Sequence, residues 1–202
     1  MFIQVIQGKT KDAAGIRRQM DRWHSELRPG AKGYLGATAG VSDDGEFISV
    51  VRFDSEEAAR RNSDRPEQGE WWAETEKYFD GQVLFHDCAR VETMGKGGSD
   101  DAGFVQIIQG HVSDVDAAVR LDRSFDETMP NFRPDVIGGT TAYNPNGRYT
   151  STVYFTSEKE AREGEKKMGE SEEFAAAMKE YEALSVEEPK YIDLKDPWMF
   201  SA

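Results

Sequence analysis

Cysteine is almost absent from this sequence, and so are long apolar runs. The 202 residues include one cysteine, Cys88, which excludes an internal disulfide and a metal site built from several cysteines. A single cysteine also agrees with a reducing compartment. No stretch approaches the roughly 18 consecutive apolar residues that span a bilayer, and no basic and then apolar leader precedes the first strand pattern. We therefore expect a cytoplasmic protein without a membrane segment.

Positive charge is scarce as well. The sequence has 25 Lys and Arg residues against 38 Asp and Glu residues, which gives a formal net charge of −13. Such a charge repels nucleic-acid phosphates and anionic membrane surfaces alike. We expect neither as a partner.

Histidine occurs only three times, and the motifs of common cofactor sites are missing. The sequence has no histidine–carboxylate metal cluster, no phosphate loop, no nucleophile elbow and no dinucleotide fingerprint. We therefore predict no resident metal or cofactor. Any oxygen chemistry would be cofactor-free or would use an exogenous ligand.

What the sequence does contain is an internal repeat. The segment FIQVIQG at positions 2–8 returns as FVQIIQG at positions 104–110, an offset of 102 between positions 2 and 104. The same offset gives further matches through most of each half: Gly36 with Gly138, Thr38 with Thr140, Gly45 with Gly147, Ser49 with Ser151, and Ala73 with Ala175. A register shared over this length indicates a duplication, so the two halves should have the same fold.

Each half has the pattern strand, helix, strand, strand, helix, strand. Asp-Gly at Gly45 and Asn-Gly at Gly147 are typical of the hairpin turn between the two middle strands. Ser55 and Ser157 have the position of N-caps for the second helices. The expected elements of the first half are strands at 2–8, 33–41, 46–54 and 83–91, and helices at 10–27 and from 56 onward.

This order predicts an α+β protein of two tandem ferredoxin-like βαββαβ repeats. Each repeat would have a four-stranded antiparallel sheet with both helices on one face. The second helices should break at 66–69 and near Gly169, and the last strand of the second half should lie near 191–194, partly on an edge because of Pro189.

The bare sheet faces suggest how the halves fit together. We expect the two sheets to pack on each other as an intramolecular pseudo-dimeric α+β barrel, with further self-association still open. The expected domains are 1–93 and 104–202, and 94–103, rich in Gly, Ser and Asp, is the expected linker.

Two copies of an F-x-S-E-x-x-A-R element strengthen this assignment. They lie at 53–60 and 155–162, and an aromatic residue follows each in the next helix, Trp72 and Phe174. With the βαββαβ order, these elements resemble the dimeric α+β barrel superfamily, and within it a tandem antibiotic-biosynthesis-monooxygenase-like protein. That superfamily includes cofactor-independent oxygenases, haem-degrading enzymes, isomerases and proteins without established chemistry.

Polar residues on the repeated strands are the first candidate site residues. Gln7 and Gln109 would lie in buried strands, where an amide needs hydrogen-bond partners. They either fix strand ends and sheet contacts or, as the resemblance implies, lie where haem-degrading and quinone-forming relatives use an asparagine to orient substrate. Thr38 and Thr140 lie among small residues, which leave space for a ligand pocket or for close approach of a helix.

The two halves differ in one aromatic helix face. Trp71 and Tyr78 of the first half correspond to Glu173 and Glu180 of the second. Either something packs there, with the C-terminal segment 197–200 as the candidate, or Trp71 borders a pocket, as a helix tryptophan does in haem-degrading relatives.

His86 alternates with Leu84 and Cys88 in the fourth strand of the first half. It is either a structural histidine or the candidate general base or haem ligand. The histidine that haem-degrading relatives carry about ten residues after the helix tryptophan is missing between Trp71 and Gly81, which argues against haem.

The leading functional hypothesis is a small pocket in the first half for an aromatic or other apolar metabolite. Its residues would be Gln7, Thr38, Trp71, Trp72 and His86, with Gln109 and Thr140 in the poorer second half. The resemblance implies cofactor-independent monooxygenase chemistry there. The alternatives are a non-catalytic binding or interaction protein and, third, a haem-binding or haem-degrading protein.

Overall fold

The computed structural model describes the backbone of residues 1–201 and the side chains of these residues except 127–131, 173 and 177. The chain divides into two compact units. The first comprises residues 1–89 and the strand at 198–201, and the second comprises residues 90–197. Each contains one five-stranded antiparallel sheet.

The elements of the two repeats follow the same order. Those of the first are β1 (Phe2–Lys9), α1 (Ala13–Arg22), β2 (Tyr34–Val41), β3 (Glu46–Phe53), α2 (Glu56–Ser63), α3 (Pro66–Thr75) and β4 (Leu84–Cys88). After β5 (Arg90–Gly95), those of the second are β6 (Phe104–His111), α4 (Val115–Phe132), β7 (Val136–Tyr143), β8 (Arg148–Phe155), α5 (Glu158–Gly169), α6 (Glu172–Leu184) and β9 (Lys190–Leu194), and β10 (Trp198–Ser201) comes last.

The α+β fold of two tandem ferredoxin-like repeats is confirmed. The sheet orders are β10-β2-β3-β1-β4 and β5-β7-β8-β6-β9, so the four strands of each repeat have the same arrangement. Gly45 and Gly147 make the hairpin turns with φ of 79° and 83°, a region that glycine adopts without strain. Both second helices are interrupted, and Ser55 and Ser157 cap them. The second break follows Gly169 as expected, whereas the first lies at 64–65, and residues 66–69, where it was expected, form the first turn of α3.

Each sheet has one strand more than the sequence pattern predicts. The fifth strand of the first unit is β10, which pairs with β2, and that of the second unit is β5, which pairs with β7. Each is added from outside the repeat whose sheet it joins. The edges of β2 and β7 offer unpaired backbone groups, which any extended segment satisfies whatever its composition.

The unit boundaries differ accordingly from the expected domains. The expected strand at 83–91 is divided at Ala89 between β4 and β5. Residues 94 and 95, placed in the linker by their composition, belong to β5. The segment 198–201, placed with the second domain, completes the first unit. Backbone pairing, rather than glycine content, determines where these segments belong.

The helices of the first unit pack on an aromatic sheet face. Phe2 and Phe53 from the sheet form one cluster with Ile16 and Trp23, and the cluster includes Trp198 and Phe200 of β10. None of the helices in the described part of the chain is long and apolar enough to span a bilayer.

The anchoring of β10 is testable through Trp198, which is 7% exposed and contacts Phe47 with ring centroids 6.2 Å apart. Trp198→Ala should lower the free energy of unfolding by about 3–5 kcal/mol, the usual cost of deleting a buried tryptophan side chain. Chemical denaturation measures the loss. Ser201→Ala, an exposed change in the same strand, should cost less than about 0.5 kcal/mol. Equal, small losses for both variants would contradict the docking of β10.

Candidate functional site

The second unit contains a cavity of about 640 Å³ between its sheet and its helices. Gln106, Ile108 and Val153 line it from the sheet, and helices α4 and α6 line it through Phe125 and Phe174. This volume is within the roughly 300–1,000 Å³ typical of small-molecule sites.

In the first unit, side chains fill almost all of the corresponding space between the sheet and the helices. Its cavity measures about 60 Å³, although the matching sheet positions Gln4, Ile6 and Val51 line it. At about 30 Å³ per water molecule, the remaining space suits water rather than a metabolite. The larger cavity is thus in the second half, where the sequence offers fewer candidate groups, and the difference arises from side chains rather than from the fold.

Helix residues account for part of the difference. Trp23 and Trp72 line the small cavity, whereas the second unit has Phe125 and Phe174 at the corresponding positions. On the sheet, Ala37 is replaced by Gly139. Each exchange removes side-chain volume from the second unit.

The fifth strands account for another part. Phe200 of β10 pairs with Ala37, and Met94 of β5 pairs with the corresponding Gly139. Two residues earlier in each strand, Trp198 of β10 and Glu92 of β5 occupy equivalent positions in this pairing register. The added strand therefore brings two aromatic rings to the first unit but a methionine and a carboxylate to the second.

A cluster of ionisable groups lies at one end of the large cavity. The Tyr143 hydroxyl donates to Oδ2 of Asp122 at 2.6 Å. The Tyr149 ring lies between the other two, with its centroid 5.9 Å from that of Tyr143 and 6.0 Å from that of Tyr181, which it meets edge-on. Asp122, Tyr149 and Tyr181 line the cavity, and Tyr143 is buried at 1% exposure.

Burial dominates the electrostatics of this cluster. It raises the pKa of Asp122 to about 6, with a smaller contribution from Glu92, and outweighs the hydrogen bond from Tyr143, which favours the carboxylate. Burial likewise raises the pKa of Tyr149 to about 12 and raises the pKa of Tyr143 and of Tyr181. The tyrosines therefore remain hydroxyl donors, while Asp122 changes charge close to neutral pH.

This cluster was missed by the sequence analysis, although the repeat register contains the signal. At the offset of 102, the four residues correspond to Met20, Val41, Phe47 and Phe79 of the first half. Four positions that are apolar in the first half thus carry one carboxylate and three phenols in the second half. A comparison restricted to polar replacements between the copies would have identified them.

Ion pairs occupy another part of the cavity wall. Arg162 contacts Glu165 at 3.0 Å and also pairs with Asp193. The Gln106 amide donates to Asp193 Oδ1 at 3.0 Å, just as Gln4 of the first unit donates to Asp87 at 2.9 Å. Because both repeats retain the glutamine–aspartate bond, we assign it to holding β1 on β4 and β6 on β9.

The structure separates the residues that were expected to form one pocket. Trp71 and Trp72 line the small cavity of the first unit. Gln7, Thr38 and His86 lie on the other face of that sheet, as the pairing of Val5 with His86 and Val50, and of Val50 with Thr38, shows. Side chains directly opposite each other in a sheet share a face, and the helices cover the face of Gln4 and Ile6.

Three of the separated residues, Gln7, Thr38 and Trp71, have structural contacts. Gln7 donates to the Glu46 carboxylate, and Arg52 donates to the Thr38 hydroxyl at 3.0 Å. Trp71, 5% exposed, donates its indole N–H to the Gln19 carbonyl at 2.8 Å and belongs to the cluster that contains Trp198. Packing therefore explains Trp71, with the C-terminal segment in the same cluster as expected.

The second-half candidates follow the same rule. Gln109 donates to the Thr150 hydroxyl at 3.2 Å. Thr140 borders the cavity, but its register with Thr152 places its side chain on the face opposite to Thr141. The side chain of Glu173, the counterpart of Trp71, lies outside the described residues.

Comparison with known proteins identifies the fold. No protein-family model and no curated protein matches the sequence. A "putative monooxygenase" from Lactobacillus acidophilus matches with a TM-score of 0.74 and 13% identity, over 99% of this chain and 96% of its own. A second from Fusobacterium nucleatum has a TM-score of 0.77 and 10% identity, over 99% and 94%.

An "anthrone oxidase-like protein" matches with a TM-score of 0.70 and 9% identity, over 100% of this chain and 91% of its own. The chain shares their fold. The tandem fold that the sequence resemblance implies is thereby confirmed.

The buried carboxyl group predicts a pH-dependent stability. Folding raises the pKa of Asp122 from 3.8 to about 6, so the folded chain binds more protons between these pH values and loses stability as the pH rises. The change corresponds to roughly 3 kcal/mol. Asp122→Asn should therefore gain up to about that amount relative to wild type between pH 3.5 and pH 7.

Denaturant unfolding across this pH range measures the difference. Asp116→Asn is the control, because Asp116 lies on the same helix with its carboxylate 69% exposed and paired with Arg90. A gap between Asp122→Asn and wild type that is constant with pH would contradict the assignment.

Proposed function

We propose that the second unit binds a small, largely apolar metabolite in its cavity. The observation that carries this is the contrast between about 640 Å³ and about 60 Å³ in two units of the same fold. Unfilled apolar space costs packing contacts. Since the first unit shows that this fold can fill the space, the open cavity is a property of the second copy alone.

The lining describes the ligand. Phe125, Phe174 and Tyr191 contribute aromatic surface, and Met94 and Met178 contribute adaptable thioethers. Polar groups line two parts of the wall, one around Asp122 and the other around Arg162. A fused-ring aromatic that carries carbonyl or hydroxyl groups matches this lining.

The reaction we propose is a cofactor-independent oxygenation. In a substrate with a methylene group between aromatic rings, both methylene C–H bonds break and one atom of O₂ becomes a new carbonyl oxygen. The other oxygen atom leaves as water, and the substrate supplies all four electrons. Support comes from the fold, which the chain shares with proteins described as "putative monooxygenases" and as "anthrone oxidase-like".

Binding in the second unit's cavity is tested by introducing there the tryptophans that fill the cavity of the first unit. The double variant Phe125→Trp, Phe174→Trp should bind 1,8-dihydroxyanthrone at least about tenfold more weakly, a loss of roughly 1.4 kcal/mol, because the added indoles occupy the ligand's space. Anaerobic titration and thermal shift measure affinity. The matched control is the reverse exchange in the first unit, Trp23→Phe with Trp72→Phe, which should leave affinity unchanged. Loss of binding in the control alone would place the site in the first unit.

Oxygen consumption tests the reaction. Wild type should consume one O₂ for each 1,8-dihydroxyanthrone converted to the anthraquinone, above the uncatalysed background, and the filled-cavity variant should remain at background. An oxygen electrode with parallel absorbance of the quinone gives the ratio. Tight binding without oxygen uptake would instead support a non-catalytic binding protein.

A further inference from the structure

The ionisable cluster at the end of the large cavity is a difference between the copies that folding does not require. The first unit forms the same sheet and helices with Met20, Val41, Phe47 and Phe79 at the four positions. Burying a carboxyl group and three hydroxyls costs free energy unless each finds a partner. A cluster that the fold can replace with apolar residues, and that lines a ligand-sized cavity, points to chemistry.

The geometry leaves one carboxylate oxygen available to a ligand. Tyr143 donates to Oδ2 of Asp122, whereas Oδ1 accepts no hydrogen bond from the residues that the structure describes. Asp122 lines the cavity together with Tyr149 and Tyr181, whose rings meet edge-on. A base and two hydroxyl donors therefore lie along the same cavity wall.

We propose that Asp122 accepts a proton from the bound ligand, and that the hydroxyls of Tyr149 and Tyr181 donate hydrogen bonds to the ligand oxygen that becomes negative. This inference rests on the proposed function and specifies its substrate as an enolisable aromatic ketone. An acidic C–H bond of the ligand breaks, and its electron pair moves onto the carbonyl oxygen to form an enolate. The proton goes to Oδ1 of Asp122 and then to water.

The groups around Asp122 suit this role. Tyr143 from β7 orients the carboxylate, and Tyr149 from β8 and Tyr181 from α6 stay protonated because burial raises the pKa of each. The remaining charge is Glu92 of β5, which is paired with Arg123 at 3.0 Å and favours the protonated form of Asp122. Asp122 is thus neutral below and charged above a pH of about 6, which suits a base that works near neutrality.

The test is anaerobic hydrogen–deuterium exchange at the methylene carbon of 1,8-dihydroxyanthrone, followed by proton NMR. Without O₂ no oxidation occurs, so proton transfer is measured alone. Wild type should accelerate exchange, with a rate that rises with pH around a midpoint near 6. Asp122→Asn should lose about 100-fold or more of that rate and the pH step with it, while anaerobic affinity for the anthrone persists.

Two further variants introduce phenylalanine, the residue that the first unit has at the corresponding positions, so the fold is known to accept it there. Tyr149→Phe and Tyr181→Phe should each reduce exchange on the order of 100-fold, the usual effect of removing a donor to a developing oxyanion. Asp116→Asn, an exposed acid on the same helix, should leave the rate unchanged. Circular dichroism confirms folding of each variant.

The outcomes separate the inference from the proposed function. Binding without accelerated exchange, or undiminished exchange in Asp122→Asn, would overturn the role of Asp122 while the ligand site stands. No binding of the anthrone to wild type would overturn both. Exchange that depends on Asp122 with a midpoint near pH 6 would support both.

Discussion

Backbone pairing along the free edges of β2 and β7 determines what fills the space beneath the helices. Each repeat ends its own four strands with an open edge, and each edge is completed by a strand from outside that repeat. Because side chains alternate along a strand, the register of the added strand selects two side chains that point under the helices. In the first unit these are Trp198 and Phe200, and in the second Glu92 and Met94. The same type of edge pairing therefore helps to fill the cavity of the first unit and leaves that of the second unit open.

The duplication then permits the two copies to differ in energy as well as in shape. The first unit is an aromatic core in which the Trp23 N–H donates to the Gln68 side chain at 2.6 Å and the Trp71 N–H donates to the Gln19 carbonyl at 2.8 Å. The second accepts a cavity and a buried carboxyl group, both of which lower stability. Burial raises the pKa of the Asp122 carboxyl group to about 6, and the hydrogen bond from the Tyr143 hydroxyl offsets only part of that desolvation cost.

Much of the fold follows from the sequence because its signals are local and occur twice. Hairpin glycines, serine caps and strand alternation each specify an element, and the repeat checks every assignment against a second copy. The fifth strands escape prediction because β5 and β10 are recruited by backbone groups at an edge, which leave little trace in side-chain pattern. The composition of 94–103 even favours a linker where part of a strand forms.

The site is harder to predict for a different reason. Alternation correctly places Ile3, Val5 and Gln7 on one face of β1, but both faces of that strand are apolar. The sequence therefore does not show which face the helices cover. The choice between the faces decides whether Gln7 or Gln4 approaches the cavity. The acid and the three tyrosines, by contrast, lie on four different elements between positions 122 and 181, and only the comparison of the copies groups them.

The exchange of strands also has a consequence for synthesis on the ribosome. The sheet of the first unit needs residues 198–201, so it stays incomplete until the whole of residues 90–197 has been translated. During that interval the edge of β2 is open to pairing with a neighbouring nascent chain. The second unit recruits its added strand from residues translated just before its own repeat, and so completes its sheet without waiting. The first half to emerge is therefore the last to be finished.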